Sequence, residues 1–205
     1  MNFFRTATAA YSNVMTDPNW PKYEILESHK EYEKRKYSAL SYVATQFEAK
    51  TGDEPVMSHL WKLVKYTQGG NSDVKILKIY LPVMVKVKQK SKLENNFTLM
   101  LVLEKEDQIN PPKPTVEGVF ILNQPECIVY SNGFAKEADW KRESIDLMKN
   151  LHSVPINHEE IISATYDLPT KLMNRHNEVM FIGLDNNNKT FDETIASYNE
   201  LAVQQ

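Results

Sequence analysis

The sequence predicts a single mixed α+β domain with helices packed on sheet surfaces. Three observations lead to it. Residues 31–47 alternate like a half-buried strand, residues 54–68 place apolar side chains at helical spacing, and the order strand, helix, strand, strand occurs twice along the chain. The repeat is one of pattern, without a matching repeat of residues.

The elements follow in order. Residues 1–20 read as an N-terminal tail, either a cytosolic extension or a short docking helix. Arg5, several Ser and Thr and no acid before Asp17 leave a mitochondrial targeting segment as the alternative. The domain itself is placed at 21–183. Residues 23–27 and 31–47 form two strands or one bent ribbon, with Leu40, Tyr42, Ala44 and Gln46 on one face and Ala39, Ser41, Val43, Thr45 and Phe47 on the other. Asp53 is the N-cap candidate for helix 54–68, and Glu54 and Pro55 suit its first turn. Gly69-Gly70-Asn71 ends that helix, because glycine accepts the left-handed conformation of a helix C-terminus. Strands are expected at 75–88, where Pro82 marks an irregularity or an edge, and at 97–105. P-P-K-P at 111–114 reads as an extended connector. Strands 116–122 and 127–134, helix 136–151 and strands 161–166 and 178–182 complete the domain. The C-terminal tail, 184–205, opens with turn-like residues and contains a segment able to form a short amphipathic helix.

Composition narrows the function. The 205 residues are enough for one domain with a substantial core, and 41% hydrophobic with 25% charged residues is ordinary for a globular protein. A net charge of -3 offers no global basic field for nucleic acid. No apolar run approaches the ~18 residues of a transmembrane helix. Cys127 is the single cysteine, so no intrachain disulfide can form, which favours a reducing, cytoplasmic setting. The strand-like surroundings of Cys127 make it a buried structural thiol, with a nucleophile or thiolate iron ligand as the competing readings. Enzyme signatures are missing: there is no G-x-S-x-G, no phosphate-binding glycine loop and no H-E-x-x-H, and the adjacent Glu159 and Glu160 face opposite sides of a strand. A binding protein is expected, not an enzyme.

Two segments point to a ligand. In helix 54–68, Val56, Leu60, Leu63 and Val64 form one apolar stripe, and Met57, Leu60, Trp61 and Val64 an overlapping one. One helix needs one core face; the second stripe either packs on the sheet or a tail, or faces a ligand. Residues 166–179, Y-D-L-P-T-K-L-M-N-R-H-N-E-V, interleave Leu168, Leu172 and Met173 with Lys171, Arg175 and His176 in a Pro-broken stretch where a loop is normally polar. An apolar loop studded with cations suits a flat apolar ligand with acidic substituents. Glu178 is read as able to orient Arg175 or to meet a cationic ligand.

These residues, K-Y-T-Q-G-G-N at 65–71, P-P-K-P, and E-C-I-V-Y-S-N-G-F-A-K-E-A-D at 126–139, resemble the SOUL/heme-binding protein family over roughly residues 20–183. The resemblance implies two four-stranded halves forming a distorted β-barrel, with two long helices outside. It implies that the helix carrying Met57, Leu60, Trp61, Val64 and Lys65 forms one wall of a shallow cleft. The loop carrying Leu168, Lys171, Leu172, Met173, Arg175 and His176 forms the other. The implied ligand is heme or another tetrapyrrole, held non-covalently, with Lys65, Lys171 and Arg175 paired to its propionates. Met57 stands where tetrapyrrole-binding relatives can carry arginine, which leaves the cleft more apolar. Among the five histidines, none forms a pair at metal-ligand spacing; His59 reads as a solvated surface residue, and His176 is the one inside the loop. Lys36 stands where some relatives carry histidine. Reversible binding through apolar contact and ion pairing suits a carrier, buffer or sensor.

Two alternatives belong to other classes. The cleft takes another small apolar ligand, tetrapyrrole binding having been lost; or the chain is a protein-interaction module using the apolar face of helix 136–151, with Trp140, Ile145, Leu147, Met148 and Leu151. A BH3-like segment following it, which the resemblance implies for some relatives, is interrupted here by Pro155.

Overall fold

The computed structural model describes residues 14–15, 17, 20–50, 56–90, 94–134, 140–167, 171 and 173–184. The expected cap at Asp53, the start of the second helix, Leu168, Leu172 and the C-terminal tail lie outside the described residues.

Ten strands and two α-helices are found among them. The strands are β1 (Val14–Met15), β2 (Tyr23–Ser28), β3 (Glu33–Tyr37), β4 (Leu40–Ala49), β5 (Ile79–Gln89), β6 (Asn95–Val102), β7 (Val119–Gln124), β8 (Cys127–Phe134), β9 (Glu160–Thr165) and β10 (Asn177–Ile182). Helix α1 is Val56–Thr67 and α2 is Trp140–Asn150. The expected strand at 31–47 is two strands, because its partner changes midway: β3 pairs with β8, whereas β4 pairs with β6 and β7. Alternation is a local signal and carries no information about a change of neighbour. Pro82 marks the expected irregularity, with the β5–β6 register shifting between Tyr80 and Val83.

All strands join one sheet in the order β2-β3-β8-β10-β9-β5-β6-β4-β7, with β1 parallel to β5. Exchanging β3 with β7, β4 with β8, β5 with β9 and β6 with β10 turns the order from β3 to β7 into its own reverse. The two halves are therefore related by a pseudo-two-fold axis between the paired strands β5 and β9. Each half lends its first strand, β3 or β7, to the other.

Side-chain alternation sorts the core into three clusters. Tyr37, Tyr42, Met84, Met100, Leu122, Val129, Ile162 and Met180 form one cluster. Tyr37 and Leu122 come from near opposite ends of the strand order, so they meet only because the sheet curls around them. The result is a distorted barrel with the helices outside. The alternate residues Val43, Leu99, Leu101 and Ile121 face outward, where Leu63, Val64 and Tyr66 of α1 cover them. Helix α1 packs on β4, β6 and β7, and α2 on β8 and β10. In the second half Leu147 and Leu151 cover Tyr130, Val179 and Phe181. No helix among the described residues is long and apolar enough to cross a membrane.

The glycine turn after α1 is a positioning device. Gly70 donates its N–H to Lys65 O at 2.9 Å, and Gly69 takes φ +99°. The buried Asn71 then gives its amide hydrogens to the carbonyls of Tyr66 (2.9 Å) and Lys75 (2.8 Å) and accepts the N–H groups of Asp73 and Lys75. One side chain thus ties the end of α1 to the approach to β5.

Candidate functional site

Inside the barrel, two ion pairs lie toward opposite ends. β9 and β10 run antiparallel, with Glu178 opposite Ala164 and Met180 opposite Ile162, so Glu178 and Glu160 are separated along the interior by that apolar layer. Glu160 meets Lys86 at 3.0 Å, both side chains being almost fully buried. At the other end Glu178 is the centre of a larger network. Its carboxylate accepts five hydrogen bonds: two from the Arg35 guanidinium (2.8 and 2.9 Å) and one each from Ser131 Oγ (3.1 Å), Tyr166 OH (2.9 Å) and His176 Nε2 (3.2 Å). Arg35 also bonds Glu33 at 2.9 Å and lies 4.5 Å from the centre of the Tyr23 ring. Burial alone would raise the Glu178 carboxyl, but the bonds from His176 and Arg35, with the charge of Arg35, hold it down at about 2. The expectation that Glu178 orients Arg175 or awaits a cationic ligand is corrected: Arg35 already supplies its cation.

The loop between β9 and β10 is anchored to this network. Tyr166 N–H bonds His176 O at 3.0 Å across the loop's neck, and the His176 ring stacks on Tyr166 with centres 4.5 Å apart and planes at 13°. The Asp167 carboxylate accepts the His176 backbone N–H and the Lys171 ammonium, the latter at 2.8 Å. Those bonds, Lys171 foremost, lower its pKa against the effect of burial. Arg175 reaches the Asp167 carbonyl at 3.4 Å. Met173 projects outward, 77% exposed. Because an ionised Glu178 can only accept, His176 Nε2 carries a proton in this arrangement, and using that nitrogen for iron would require breaking the bond.

On α1, Met57 is 56% exposed, Leu60 and Trp61 are partly buried, and Lys65 is exposed. Val64 is 7% exposed and packs on the sheet, so little of it is left for a ligand. Tyr66, fully buried with its hydroxyl on Pro112 O at 2.9 Å, is a further core residue of this helix. His59 is not a solvated surface residue. It is half-buried, stacks on Phe47 at 4.4 Å, and has its pKa lowered by burial and by Lys62.

In the sheet order β9 and β5 lie between β10, where the loop ends, and β6, on which α1 packs. Val83 pairs with Thr165 and Val85 with Ser163 on the outer face of β5 and β9, next to the pseudo-two-fold axis. Val83 and Val85 pack in the same cluster as Leu60 and Trp61, and the loop leaves β9 directly after Thr165. All four outer-face residues are half-buried. They are absent from the sequence-based set of site residues, although their outward alternation opposite Met84 and Ala164 was a usable signal.

A cavity of about 30 Å³ lies in the barrel interior, lined by Tyr37, Tyr42, Met84, Met100, Cys127 and Met180 among others. It has room for a solvent molecule or two, whereas pockets for larger organic ligands run to about 300 Å³ and more. Cys127 is buried there, and burial pushes its thiol up to about 11. On α2 and at the residue following it, Leu147 and Leu151 are fully buried in the core, Trp140 and Met148 are partly buried, and Ile145, 54% exposed, is the apolar residue that points away. The apolar face considered for a protein partner is thus mainly core.

Comparison with known proteins identifies the family. The family model described as SOUL heme-binding protein matches residues 19–182. Heme-binding protein 2 of Homo sapiens is 30% identical over 158 residues, covering 74% of this chain and 77% of that one. Heme-binding protein 1 of Xenopus tropicalis is 28% identical over 157 residues, covering 74% and 83%. Among solved structures, the EcmrR C-terminal domain superposes with a TM-score of 0.58 at 8% identity, covering 78% of this chain and 96% of that one. At that identity the likeness concerns the fold alone.

Proposed function

The chain belongs to the SOUL heme-binding protein family, and from that premise we propose that it binds heme or a related tetrapyrrole reversibly and without a covalent bond. The ligand lies on the outer surface of the barrel, between α1 and the β9–β10 loop, with the half-buried outer residues of β5 and β9 as the floor. The observation that carries this reading is apolar surface left exposed on both flanks of one floor: Met57 on α1 and Met173 in the loop each expose more than half of their area. The interior cavity, at about 30 Å³, is too small to compete as the site.

The residues fit such a ligand. A porphyrin presents a broad apolar face and two carboxylates at one edge. Met57, Leu60, Trp61 and Met173 supply adaptable apolar and aromatic contacts. Lys65, Lys171 and Arg175 supply cations, arginine being suited to bidentate pairing with a carboxylate. Lys171 exchanges its bond to Asp167 for one to a propionate, a substitution of like for like that favours modest affinity. When bound, heme would supply iron redox and ligand chemistry; the protein's part is to hold the macrocycle. With His176 Nε2 engaged by Glu178, holding relies on contact and charge. The chain acts as a carrier, buffer or sensor in the cytoplasm. A catalytic reading finds little support: the acid at the centre of the network, Glu178, is saturated by five hydrogen bonds, and Cys127 is buried.

Titration of the purified protein with hemin and with iron-free protoporphyrin, followed by Soret absorbance and tryptophan fluorescence, tests the proposal. Saturable one-to-one binding of both is expected. Binding of hemin alone would replace contact and charge by iron ligation. Failure of both to bind beyond nonspecific adsorption would overturn the reading in favour of another apolar ligand.

A further inference from the structure

Among the described residues, the imidazole of His176 bridges the β9–β10 loop and the buried Glu178 network. Its Nε2 meets Glu178 Oε1 at 3.2 Å, its ring lies flat on Tyr166, and its backbone N–H is held by Asp167. We propose that His176 is a protonation-dependent latch: charged, it pins the loop to the barrel by a charge-assisted bond to Glu178 and presets the wall that carries Lys171, Met173 and Arg175; neutral, it keeps at most an uncharged Nε2–H bond, and its hold on that wall weakens. The consequence for ligand rests on the tetrapyrrole reading above; the latch itself does not.

The groups around the imidazole favour the charged form. Glu178 faces it from β10 and Asp167 from the loop. β3 contributes Arg35, whose charge opposes protonation, together with Glu33, which shares that guanidinium. Tyr166 at the end of β9 offers a neutral phenol already donated to Glu178. Beside it, β8 contributes the uncharged Ser131 and Gly133. Lys171 and Arg175, in the loop, lean on Asp167. One guanidinium thus serves two carboxylates, Glu33 and Glu178, and an imidazolium balances the count. The bond to Glu178 raises the His176 pKa above the ordinary imidazole value, against burial and the Arg35 charge. The latch is therefore tightest at and below the usual imidazole range and loosens as pH rises through the raised value.

The test compares the protein with His176→Gln, which keeps a donor toward Glu178 but does not titrate, and His176→Phe, which keeps the stack but not the donor. Amide protection of residues 173–176 is measured without ligand, and affinity for iron-free protoporphyrin with it, from about pH 6 to about pH 9. Protoporphyrin avoids the titration of hemin's own iron-bound water. Loop protection and affinity are expected to fall together, severalfold, as the unmodified protein's His176 loses its proton. The Gln variant should be flat and the Phe variant low throughout. Flat loop protection in the unmodified protein, or pH dependence retained in the Gln variant, would overturn the latch. Protoporphyrin failing to bind at any pH, while loop protection still follows His176, would uphold the latch and overturn the tetrapyrrole reading alone.

Discussion

Arg35 and Glu178 form a bidentate pair at 2.8 and 2.9 Å across a strand that lies between them: β8 separates β3 from β10, and its Ser131 bonds the same carboxylate. The pair spans three strands of the curled wall, and both side chains are nearly fully buried. It fixes the end of the barrel from which the β9–β10 loop emerges.

Removing one partner strands the other. Arg35→Leu is expected to destabilise the fold by about 3–5 kcal/mol, because an ionised Glu178 is left buried without its cation. Arg35→Leu combined with Glu178→Leu should recover most of that loss, since burying apolar groups in place of an ion pair is often neutral. Urea unfolding of the two single variants and the double variant checks both statements; simple additivity of the single losses would contradict them.

Acid should weaken the same network. Glu178 has a folded-state pKa of about 2 against an unfolded value of 4.5. A depressed carboxylate pKa contributes stability above the unfolded value and loses it as pH falls through the folded one. Stability is thus expected to drop between about pH 4.5 and about pH 2, by on the order of 3 kcal/mol from this group. Glu178→Gln should flatten that part of the profile measured by denaturant unfolding.

The turn after α1 should not accept a side chain. A Cβ on Gly70 would stand 2.7 Å from Lys65 O and 2.7 Å from Val116 Cγ2, so backbone or core has to shift. Gly70→Ala is expected to lower stability by about 1–3 kcal/mol, the scale of a strained overpacked site. Thermal unfolding measures it, and an unchanged midpoint would show that the turn relaxes freely.

Charge at the cleft should tune ligand affinity without touching the fold. Met57 is exposed on the α1 wall, so Met57→Arg should tighten hemin binding severalfold by adding a cation for a propionate, and Lys171→Glu with Arg175→Glu should weaken it. Circular dichroism should be unchanged in each case. Weaker binding by the Met57→Arg variant would contradict propionate pairing at that wall.

Cys127 should be chemically silent in the native state. It is 5% exposed, and its thiol is pushed up to about 11. A thiol-specific reagent should react only after denaturant is added. Rapid native labelling would show that the barrel wall opens at β8.

Element type and order were legible in the sequence because they depend on local period: 2 for the strands, 3.6 for α1, glycine for its end. The family and its implied barrel were legible in the ordered motifs. Partner choice was not. Nothing local in residues 31–47 marks the point at Ser38 and Ala39 where the chain leaves β8 for β6 and β7. The candidate site divides in the same way. The sequence by itself determined which residues are apolar, cationic or titratable on α1 and in the β9–β10 loop. Only the tertiary structure decided that Val64 faces the sheet, that Val83, Val85, Ser163 and Thr165 share one outer face, and that Glu178 belongs to Arg35, 143 residues away. The physical reason is that ion pairing and burial depend on distance through space. A curled sheet brings together residues whose separation along the chain gives no sign of it.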